Sequence, residues 1–255
     1  MNPTVTVVGG GLAGCEAALF LAERGHQVEL YEMRPRRPTP AHKTGDLAEL
    51  VCTNSFKSED PGNAHGELKR EMRSLGSLLL SVADRSRVPA GSALAVDRKL
   101  FSRQMTESIS AHSGIKVIRE EVPELPAPPA IIATGPLTSD RLSHAIQTRL
   151  GGEALYFFDA IAPIVHRDSL DEEVVFAAGR FDEDSDYLNC PMNPEEYRTF
   201  LEALREADVY PGHDFEEVPY FEGFLPVEVM ASRGDDTLRF GPMKPIGLKD
   251  PRTGE

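Results

Sequence analysis

The chain contains 255 residues with a formal net charge of −14, which is enough length for one large domain or two modest ones. No apolar run approaches the length of a membrane span, and the N-terminus lacks a basic and apolar signal region, so we expect a cytoplasmic protein without a membrane partner. Three cysteines, Cys15, Cys52 and Cys190, are too few and odd in number for a disulfide framework.

The first predicted elements are a strand, a glycine-rich turn, a helix and a second strand. Val5–Val8 is a β-branched run, an apolar helical segment follows the turn, and Val28–Tyr31 leads into Glu32. The turn has glycines at the G-x-G-x-x-G spacing: Gly9, Gly11 and Gly14. This combination is typical of a Rossmann-like dinucleotide-binding unit.

Each residue of this unit has a physical role if a dinucleotide binds. Gly9 allows the tight turn, Gly11 lets the backbone approach a pyrophosphate, and Gly14 lets the helix lie close to the sheet. The amides and the positive end of the helix then face the phosphates. Glu32 can accept hydrogen bonds from ribose hydroxyls, which favours a cofactor without a 2′-phosphate. The alternative is a glycine-rich turn that binds no ligand.

A loop rich in proline and arginine follows Glu32. Its prolines exclude a regular helix or a central strand over residues 33–40. The cationic side chains of the loop either bind phosphate or form a solvated surface. They are Arg34, Arg36, Arg37 and Lys43.

Cys52 lies among small polar residues, and Asn54 and Ser55 favour a turn or a helix cap after it. A thiol near helix-end amides, with Lys57 close in sequence, has its thiolate form favoured and can act as a nucleophile. The alternative is a small buried apolar group, which is the commoner state of a lone cysteine.

Two amphipathic helices are predicted next. One covers residues 67–83, with a basic outer face, and the other follows Asp97, which is the expected N-cap. The predicted apolar face of the first helix consists of Leu68, Met72, Leu75, Leu79 and Val82. The basic side chains of this region face either phosphate groups or solvent. They are Lys69, Arg70, Arg73, Arg85, Arg87, Arg98, Lys99 and Arg103.

Two further strands are predicted before the middle of the chain. Residues 115–118 form the first, and a proline-rich connection over 123–129 leads to the second, a buried strand over 130–132 that closes on Ala133, Thr134 and Gly135. A strand that closes on Ala-Thr-Gly is common in FAD-binding folds, where the turn comes near the flavin nucleotide.

The sequence changes character near residue 150. Residues 1–150 contain 18 Lys and Arg against 17 Asp and Glu, whereas residues 151–255 contain 9 against 24, which indicates a domain boundary. Short β-type runs occur at 155–158, 161–165, 174–177, 220–221 and 238–240, and Asn193 and Pro194 begin a helix. We expect a smaller α+β domain inserted into the nucleotide-binding domain.

Other reaction classes lack support. The seven histidines are scattered, and none has zinc-ligand spacing. There is no Gly-x-Ser-x-Gly elbow and no Walker-type lysine loop. We therefore expect no metal site, and redox or cofactor-dependent transfer chemistry remains.

Several longer blocks resemble one family from end to end of the chain. They read GGGLAGCEAA, AELVCTNSFKS, LYFFDAIAPIV, DYLNCPMNPEEY and FEGFLPVEVMASRGDDTLRFGPMKPIGL. Together they resemble TrmFO, the folate- and FAD-dependent tRNA (uracil-5-)-methyltransferases, which are relatives of the MnmG (GidA) tRNA-modification flavoproteins.

The resemblance implies an α/β fold. Residues 1–140 are expected to form the first part of a Rossmann-like FAD-binding domain of the GR2 type, 141–238 an inserted α+β domain, and 239–255 the start of the return to the first domain. The glycine turn is then expected to hold the ADP half of FAD. The implied cofactor-binding residues are Gly9, Gly10, Gly11, Leu12, Ala13, Gly14, Glu32, Thr134 and Gly135.

The resemblance also implies a reaction, the formation of 5-methyluridine in the T-loop of tRNA. The one-carbon unit comes from 5,10-methylenetetrahydrofolate and passes through reduced FAD, which NADH or NADPH regenerates. Carbon 5 of uracil is a poor nucleophile until a thiolate adds at carbon 6. Cys52 matches the family's first functional cysteine, and its task is either this addition or assistance at the flavin.

Two departures from the family pattern leave alternatives open. The family has a second functional cysteine where this chain has Phe224, whose ring offers no thiolate. Family members also extend beyond the stretch at which this chain ends, and we expect the further part to complete the FAD-binding sheet. The alternatives are a non-catalytic or truncated nucleotide-binding remnant of the family and a flavin oxidoreductase that acts on a small molecule.

Overall fold

The computed structural model describes residues 3–51, 53–151, 165–179, 186–208, 225–244 and 246–254. The chain divides into two compact units, Met1–Ala162 and Pro163–Glu255. The division into 1–140, 141–238 and 239–255 stays a prediction. None of the described helices is both long and apolar enough to cross a membrane.

A parallel four-stranded sheet forms the centre of the first unit. Its strands are β1 (Val5–Val8), β2 (Val28–Tyr31), β6 (Ile115–Ile118) and β7 (Ala130–Ile132), in the order β6-β2-β1-β7. β1 pairs with β2 from Val5 opposite Val28 to Val8 opposite Tyr31. The parallel sheet confirms the predicted α/β class, and it aligns the carboxyl ends of all four strands at one edge.

Helix α1 (Leu12–Glu23) crosses from β1 to β2 and packs on this sheet. Its buried face consists mostly of small side chains, among them Cys15, Ala18 and Ala22, which let the helix approach the strands closely. Val7 and Leu30 of the sheet are fully buried in the same core. The predicted strand, turn, helix and strand are therefore confirmed.

A second, antiparallel sheet belongs to the same unit. It contains β3 (Ser55–Ser58), β4 (Arg87–Val88) and β5 (Ala93–Val96), in the order β3-β5-β4. Helices α2 (Ala64–Ser74), α3 (Leu78–Arg85) and α4 (Arg98–Ala111) accompany it. Asp97 caps α4 as predicted, since its side chain accepts hydrogen bonds from the amides of Lys99 and Leu100.

The single helix predicted over residues 67–83 is wrong. The helix is interrupted between α2 and α3. Gly76 adopts a left-handed φ of 82° there, and Ser77 caps α3 by accepting a hydrogen bond from the amide of Leu80. The predicted apolar face changes as a result. Leu68 and Leu75 are 55% and 69% exposed.

The carboxyl half of the first unit contains β7, a short 3-10 helix over Gly135–Leu137 and helix α5 (Asp140–Leu150). β7 was expected to be buried, and this is wrong for Ile131 and Ile132, which are 36% and 37% exposed. The reason is topological, because β7 is the edge strand of the sheet among the described residues.

The described residues of the second unit form one antiparallel strand pair and three helices. Its elements are β8 (Phe176–Ala177), β9 (Leu188–Asn189), α6 (Pro194–Glu206), α7 (Val227–Arg233) and α8 (Thr237–Phe240), with a 3-10 turn at Arg167–Ser169. Asn193 begins α6 through a capping box with Glu196, as the sequence indicated. The strand predicted at 238–240 is helical in α8, because Leu238 packs with Leu201 and Ala231. The runs at 155–158, 161–164 and 220–221 lie outside the described residues.

Candidate functional site

A cavity lies at the carboxyl edge of the parallel sheet. Its volume is about 280 Å³, and its walls come from the turns that follow β1, β2, β6 and β7. Eight of the nine predicted cofactor-binding residues line it, and the ninth, Gly14, lies behind the turn. The eight are Gly9, Gly10, Gly11, Leu12, Ala13, Glu32, Thr134 and Gly135. This edge is where ligands bind in open α/β sheets.

Backbone contacts within the protein require Gly9 and Gly14, and side chains crowd Gly10. A Cβ on Gly9, where φ is 106°, would lie 2.5 Å from the carbonyl oxygen of Ala133. A Cβ on Gly14 would lie 1.8 Å from the carbonyl oxygen of Gly9, and one on Gly10 would lie 2.6 Å from Leu47 Cδ2. These glycines therefore allow the turn to close on itself and on the sheet.

Gly11 is different, because a Cβ there would have nothing within 4 Å. Its φ of −77° and ψ of −168° are also open to any residue. Among the described residues, no acceptor binds the amides of Gly11, Leu12 and Ala13, and these amides stand at the positive end of α1. A glycine without protein contacts beside free amides fits an anionic group brought close to the backbone.

Glu32 is buried at 6% exposure and is already bonded within the protein. Its Oε2 accepts from the Gly10 amide at 2.9 Å and from Arg34 Nη2 at 3.2 Å, and its Oε1 accepts from Arg34 N and Nε. Burial opposes ionisation, but the hydrogen bonds from Arg34 and Gly10 outweigh it and lower the pKa of Glu32. A ribose contact stays a prediction. A ribose hydroxyl would donate to a carboxylate oxygen of Glu32 that already accepts from Arg34 or Gly10.

Arg34 joins Glu32 to a second carboxylate, that of Glu49. Its Nη1 lies 3.0 Å from Glu49 Oε2, and Arg34 itself is only 2% exposed. Burial opposes ionisation of Glu49 too, but bonds from Lys43 and Thr44 lower its pKa. The guanidinium of Arg34 is engaged in this buried network, although Arg34 also lines the cavity, so a phosphate contact of Arg34 stays a prediction.

Replacing Arg34 with methionine is expected to destabilise the first unit by about 3–5 kcal/mol at neutral pH, because it leaves two buried carboxylates without their cation. The native pKa values lie below the ordinary 4.5, so the wild-type stabilisation is present above that pH and is lost as pH falls through the native values. In Arg34→Met desolvation instead raises the pKa of Glu32, whereas Glu49 keeps its hydrogen bonds from Lys43 and Thr44. The difference in unfolding free energy should therefore narrow on acidification.

Urea unfolding of both proteins at pH 7 and near pH 4.5 measures this difference. Arg36→Met is the matched control, since Arg36 pairs with Glu120 at 69% and 59% side-chain exposure, and such pairs contribute less than about 1 kcal/mol. If Arg34→Met and Arg36→Met lose the same amount of unfolding free energy, the buried network does not stabilise the first unit as expected.

The segment that approaches Cys52 forms part of the cavity wall. Val51 lines the cavity, whereas Cys52 lies outside the described residues. The helix cap predicted at Asn54 and Ser55 is wrong, because the chain bends at Asn54 and enters β3 at Ser55, and Asn54 Nδ2 donates to the carbonyl oxygen of Val96 at 3.1 Å. Helix-end amides from that cap therefore do not explain a reactive thiol.

The two other cysteines differ sharply. Cys15 is fully buried under the glycine turn, where its thiol donates to the carbonyl oxygen of Gly10 at 3.4 Å. Burial raises the pKa of Cys15 to about 12, and the charge of Glu32 adds to the shift, so this thiol is unreactive. Cys190 is exposed.

Four of the eight basic side chains predicted for this region, Arg70, Arg73, Arg87 and Arg103, pair with carboxylates. Arg73 and Arg87 share the carboxylates of Glu59 and Asp84, and Arg70 pairs with Glu67. Lys69 is 5% exposed, and its Nζ donates to the carbonyl oxygens of Ser58 and His65. For these residues the solvated or structural alternative holds.

The turn after β7 forms another part of the cavity wall. Gly135 has a left-handed φ of 61°, and Thr134 Oγ1 lies 2.6 Å from Thr138 Oγ1.

Within the described part of the chain, no group of His, Cys, Asp and Glu side chains is arranged to hold a metal ion.

The sequence did not single out Glu49, Leu47 or Ala48, although all three shape the site. The amide of Ala48 donates to the Gly10 carbonyl oxygen at 2.8 Å, and Leu47 packs over Gly10. Their only local signal is position, since they precede Cys52 by three to five residues.

The parallel sheet, the glycine turn and the free amides define a nucleotide-binding α/β protein of the Rossmann type. The chain belongs to the family described as glucose inhibited division protein A, whose model matches residues 4–253.

Two curated relatives carry the same name, methylenetetrahydrofolate–tRNA-(uracil-5-)-methyltransferase TrmFO. The protein from Rubrobacter xylanophilus is 57% identical over 99% of this chain and 56% of its own length. That from Geobacter sulfurreducens is 56% identical over 100% of this chain and 59% of its own length. The chain thus spans less than two thirds of these relatives. A crystal structure of Aquifex aeolicus GidA has a TM-score of 0.42 and 18% identity over 52% of this chain and 25% of that one.

Proposed function

We propose that this chain binds FAD and belongs to an enzyme that methylates carbon 5 of uracil in tRNA, with 5,10-methylenetetrahydrofolate as the carbon donor. The observation that carries the proposal is Gly11, whose missing side chain is explained by no protein contact. The name of the relatives, which are 57% and 56% identical, supports the reaction.

Different residues of the cavity would contact different parts of the cofactor. The amides of Gly11, Leu12 and Ala13 are free to bind the pyrophosphate at the start of α1. Glu32 stands at the end of β2, where a ribose is expected, and the network around it keeps the carboxylate charged. Thr134 and Gly135 line the same cavity. The flavin would supply the redox step that turns the donated one-carbon unit into a methyl group.

Cys52 is the proposed reactive thiol. Val51, the residue before it in the sequence, lines the cavity. A thiolate either adds to carbon 6 of uracil, which makes carbon 5 nucleophilic, or assists at the flavin. The T-arm as the tRNA region, a reduced nicotinamide as the reductant and a cytoplasmic location are further parts of the proposal.

One experiment tests both halves of the proposal. The purified chain should show a flavin absorption spectrum or acquire it with added FAD, and with NADH or NADPH it should transfer a labelled carbon from 5,10-methylenetetrahydrofolate to tRNA. A chain that binds FAD but transfers no label would refute the reaction for this chain and leave a nucleotide-binding remnant. Flavin reduction by nicotinamide that tRNA and folate do not affect would favour a small-molecule oxidoreductase. Phe224 lies outside the described residues. Because it stands where the family has its second functional cysteine, transfer of the labelled carbon is the stricter of the two tests.

A further inference from the structure

Gly10 is bonded to the protein through both of its backbone polar groups. Its amide donates to Glu32 Oε2 at 2.9 Å, and its carbonyl oxygen accepts from the amide of Ala48 at 2.8 Å and from Cys15 Sγ at 3.4 Å. The amides of residues 11–13, which follow directly in the chain, are the ones available to an anion. The contacts of Gly10 therefore fix the turn from which those amides project.

Ala48 reaches Gly10 in an unfavourable backbone conformation. Its φ is 53°, in the left-handed region where the Cβ of a non-glycine residue is crowded by its own backbone. Ala48 is also fully buried. Such a conformation persists only where the surroundings impose it, so the segment around Ala48 needs further contacts that hold it in place.

Thr106, on helix α4, supplies one of these contacts. Its Oγ1 accepts from the amide of Leu47 at 2.8 Å and donates to the carbonyl oxygen of Ser102 in its own helix at 2.7 Å. The second bond directs the hydroxyl proton away from Leu47 and leaves a lone pair for its amide. Leu47 is fully buried, and its side chain covers Gly10. The backbone of Leu47 is thus bonded to α4 while its side chain packs on the glycine turn.

We propose that Thr106 is a positioning residue that acts through Leu47 and Ala48 and fixes the glycine turn in the conformation that presents its amides to a pyrophosphate. The inference rests on the proposed function for its ligand, because FAD is the group that would bring the pyrophosphate. The hydrogen bonds themselves join only protein atoms. Thr106 does not line the cavity, so any effect of Thr106 on binding must pass through the segment that it holds.

Thr106→Val keeps the shape of the side chain but leaves the amide of the buried Leu47 without its acceptor. We expect the segment around Ala48 to open locally and the affinity for FAD to fall about tenfold. Thr106→Ser keeps the hydroxyl, so its affinity should stay within about threefold of the wild type. Ser108→Ala is the matched control, because Ser108 Oγ donates to the carbonyl oxygen of Gln104 at 2.8 Å, a bond of the same kind that stays within α4. It should bind FAD as the wild type does.

Two measurements separate positioning from a merely structural role. Urea unfolding gives the folded fraction, and a variant that is more than about 99% folded loses almost no affinity through global unfolding. Hydrogen exchange of the FAD-free protein, read by mass spectrometry of overlapping peptides, follows the amides of Ala48 and Gly10, whose own acceptors the substitution leaves in place. In Thr106→Val both should exchange about tenfold faster, while the amides in the middle of α1 keep the wild-type rate.

Two results would overturn the proposal. One is an unchanged FAD affinity in Thr106→Val, and the other is wild-type exchange at Ala48 and Gly10. An equal rise of exchange throughout α1 would also overturn it, since the role would then be global stability. If the wild-type chain binds no FAD, the proposed function fails, and faster exchange confined to these two amides would still support the positioning of the glycine turn by Thr106.

Discussion

Replacing Gly11 with alanine should weaken FAD binding by about tenfold to a hundredfold, because an added methyl group that must be accommodated at a close contact costs about 1–3 kcal/mol. The protein itself has room for this methyl group, since its Cβ would meet nothing within 4 Å. The backbone angles also suit alanine. The free energy of unfolding should therefore change by less than about 1 kcal/mol, which is the size of the glycine and N-cap effects.

Gly14→Ala is the matched comparison, three residues away in the same motif. Its Cβ would lie 1.8 Å from the carbonyl oxygen of Gly9, so helix and turn must move apart. We expect a loss of about 3 kcal/mol or more in the free energy of unfolding, with loss of FAD binding as a consequence. The two variants thus separate a glycine required by the ligand from a glycine required by the fold.

FAD titration followed by flavin fluorescence, together with urea unfolding, measures both effects. If Gly11→Ala binds FAD as tightly as the wild type, the space beside Gly11 is not the pyrophosphate site. If Gly14→Ala is as stable as the wild type, the close approach of α1 to the glycine turn is not what holds the two together.

The sequence predicts the nucleotide-binding unit well because the signals of that unit are local. Gly9, Gly11 and Gly14 act within one turn of chain, and β1, α1 and β2 have strong and unmixed periodicities. The N-caps Asp97 and Asn193 are local too, since each side chain bonds amides two and three residues ahead. Such signals do not depend on the rest of the fold.

The failed predictions share a different cause, which is competition from distant residues. Asn54 and Ser55 have turn propensities, but Ser55 pairs with Ala95 at the start of β3 and the side chain of Asn54 is held by the carbonyl oxygen of Val96. The apolar spacing continues across Gly76 although the helix ends there, because position in the fold and not periodicity decides which leucines are covered.

The electrostatic arrangement of the site was beyond local inference for the same reason. The sequence predicts only that Arg34 is a cation in a loop. Folding brings it between Glu32 and Glu49, which are 2 and 15 residues away along the chain. Six of the twelve other arginines of the first unit also pair with carboxylates in the described structure. Net charge by segment therefore says little about which cations remain free to meet phosphate.

Replacing Cys52 with alanine is expected to lower methyl transfer to tRNA by about a thousandfold or more, because a group that forms a covalent bond in the reaction has no substitute in a methyl side chain. FAD affinity should stay within about threefold of the wild type, since the pyrophosphate and ribose contacts come from other residues. The loss then belongs to the chemical step and not to cofactor binding.

Cys190→Ala and Cys15→Ala are the controls, and we expect both to keep methyl transfer, for different reasons. Cys190 is exposed and far along the chain, so its replacement should leave transfer unchanged. Cys15 is fully buried with a pKa of about 12, so its replacement should lower stability by at most about 1–2 kcal/mol without removing transfer per bound flavin. Labelled carbon in tRNA, normalised to bound flavin, is the readout. Full activity in Cys52→Ala, or its loss in Cys190→Ala, would assign the reactive thiol elsewhere.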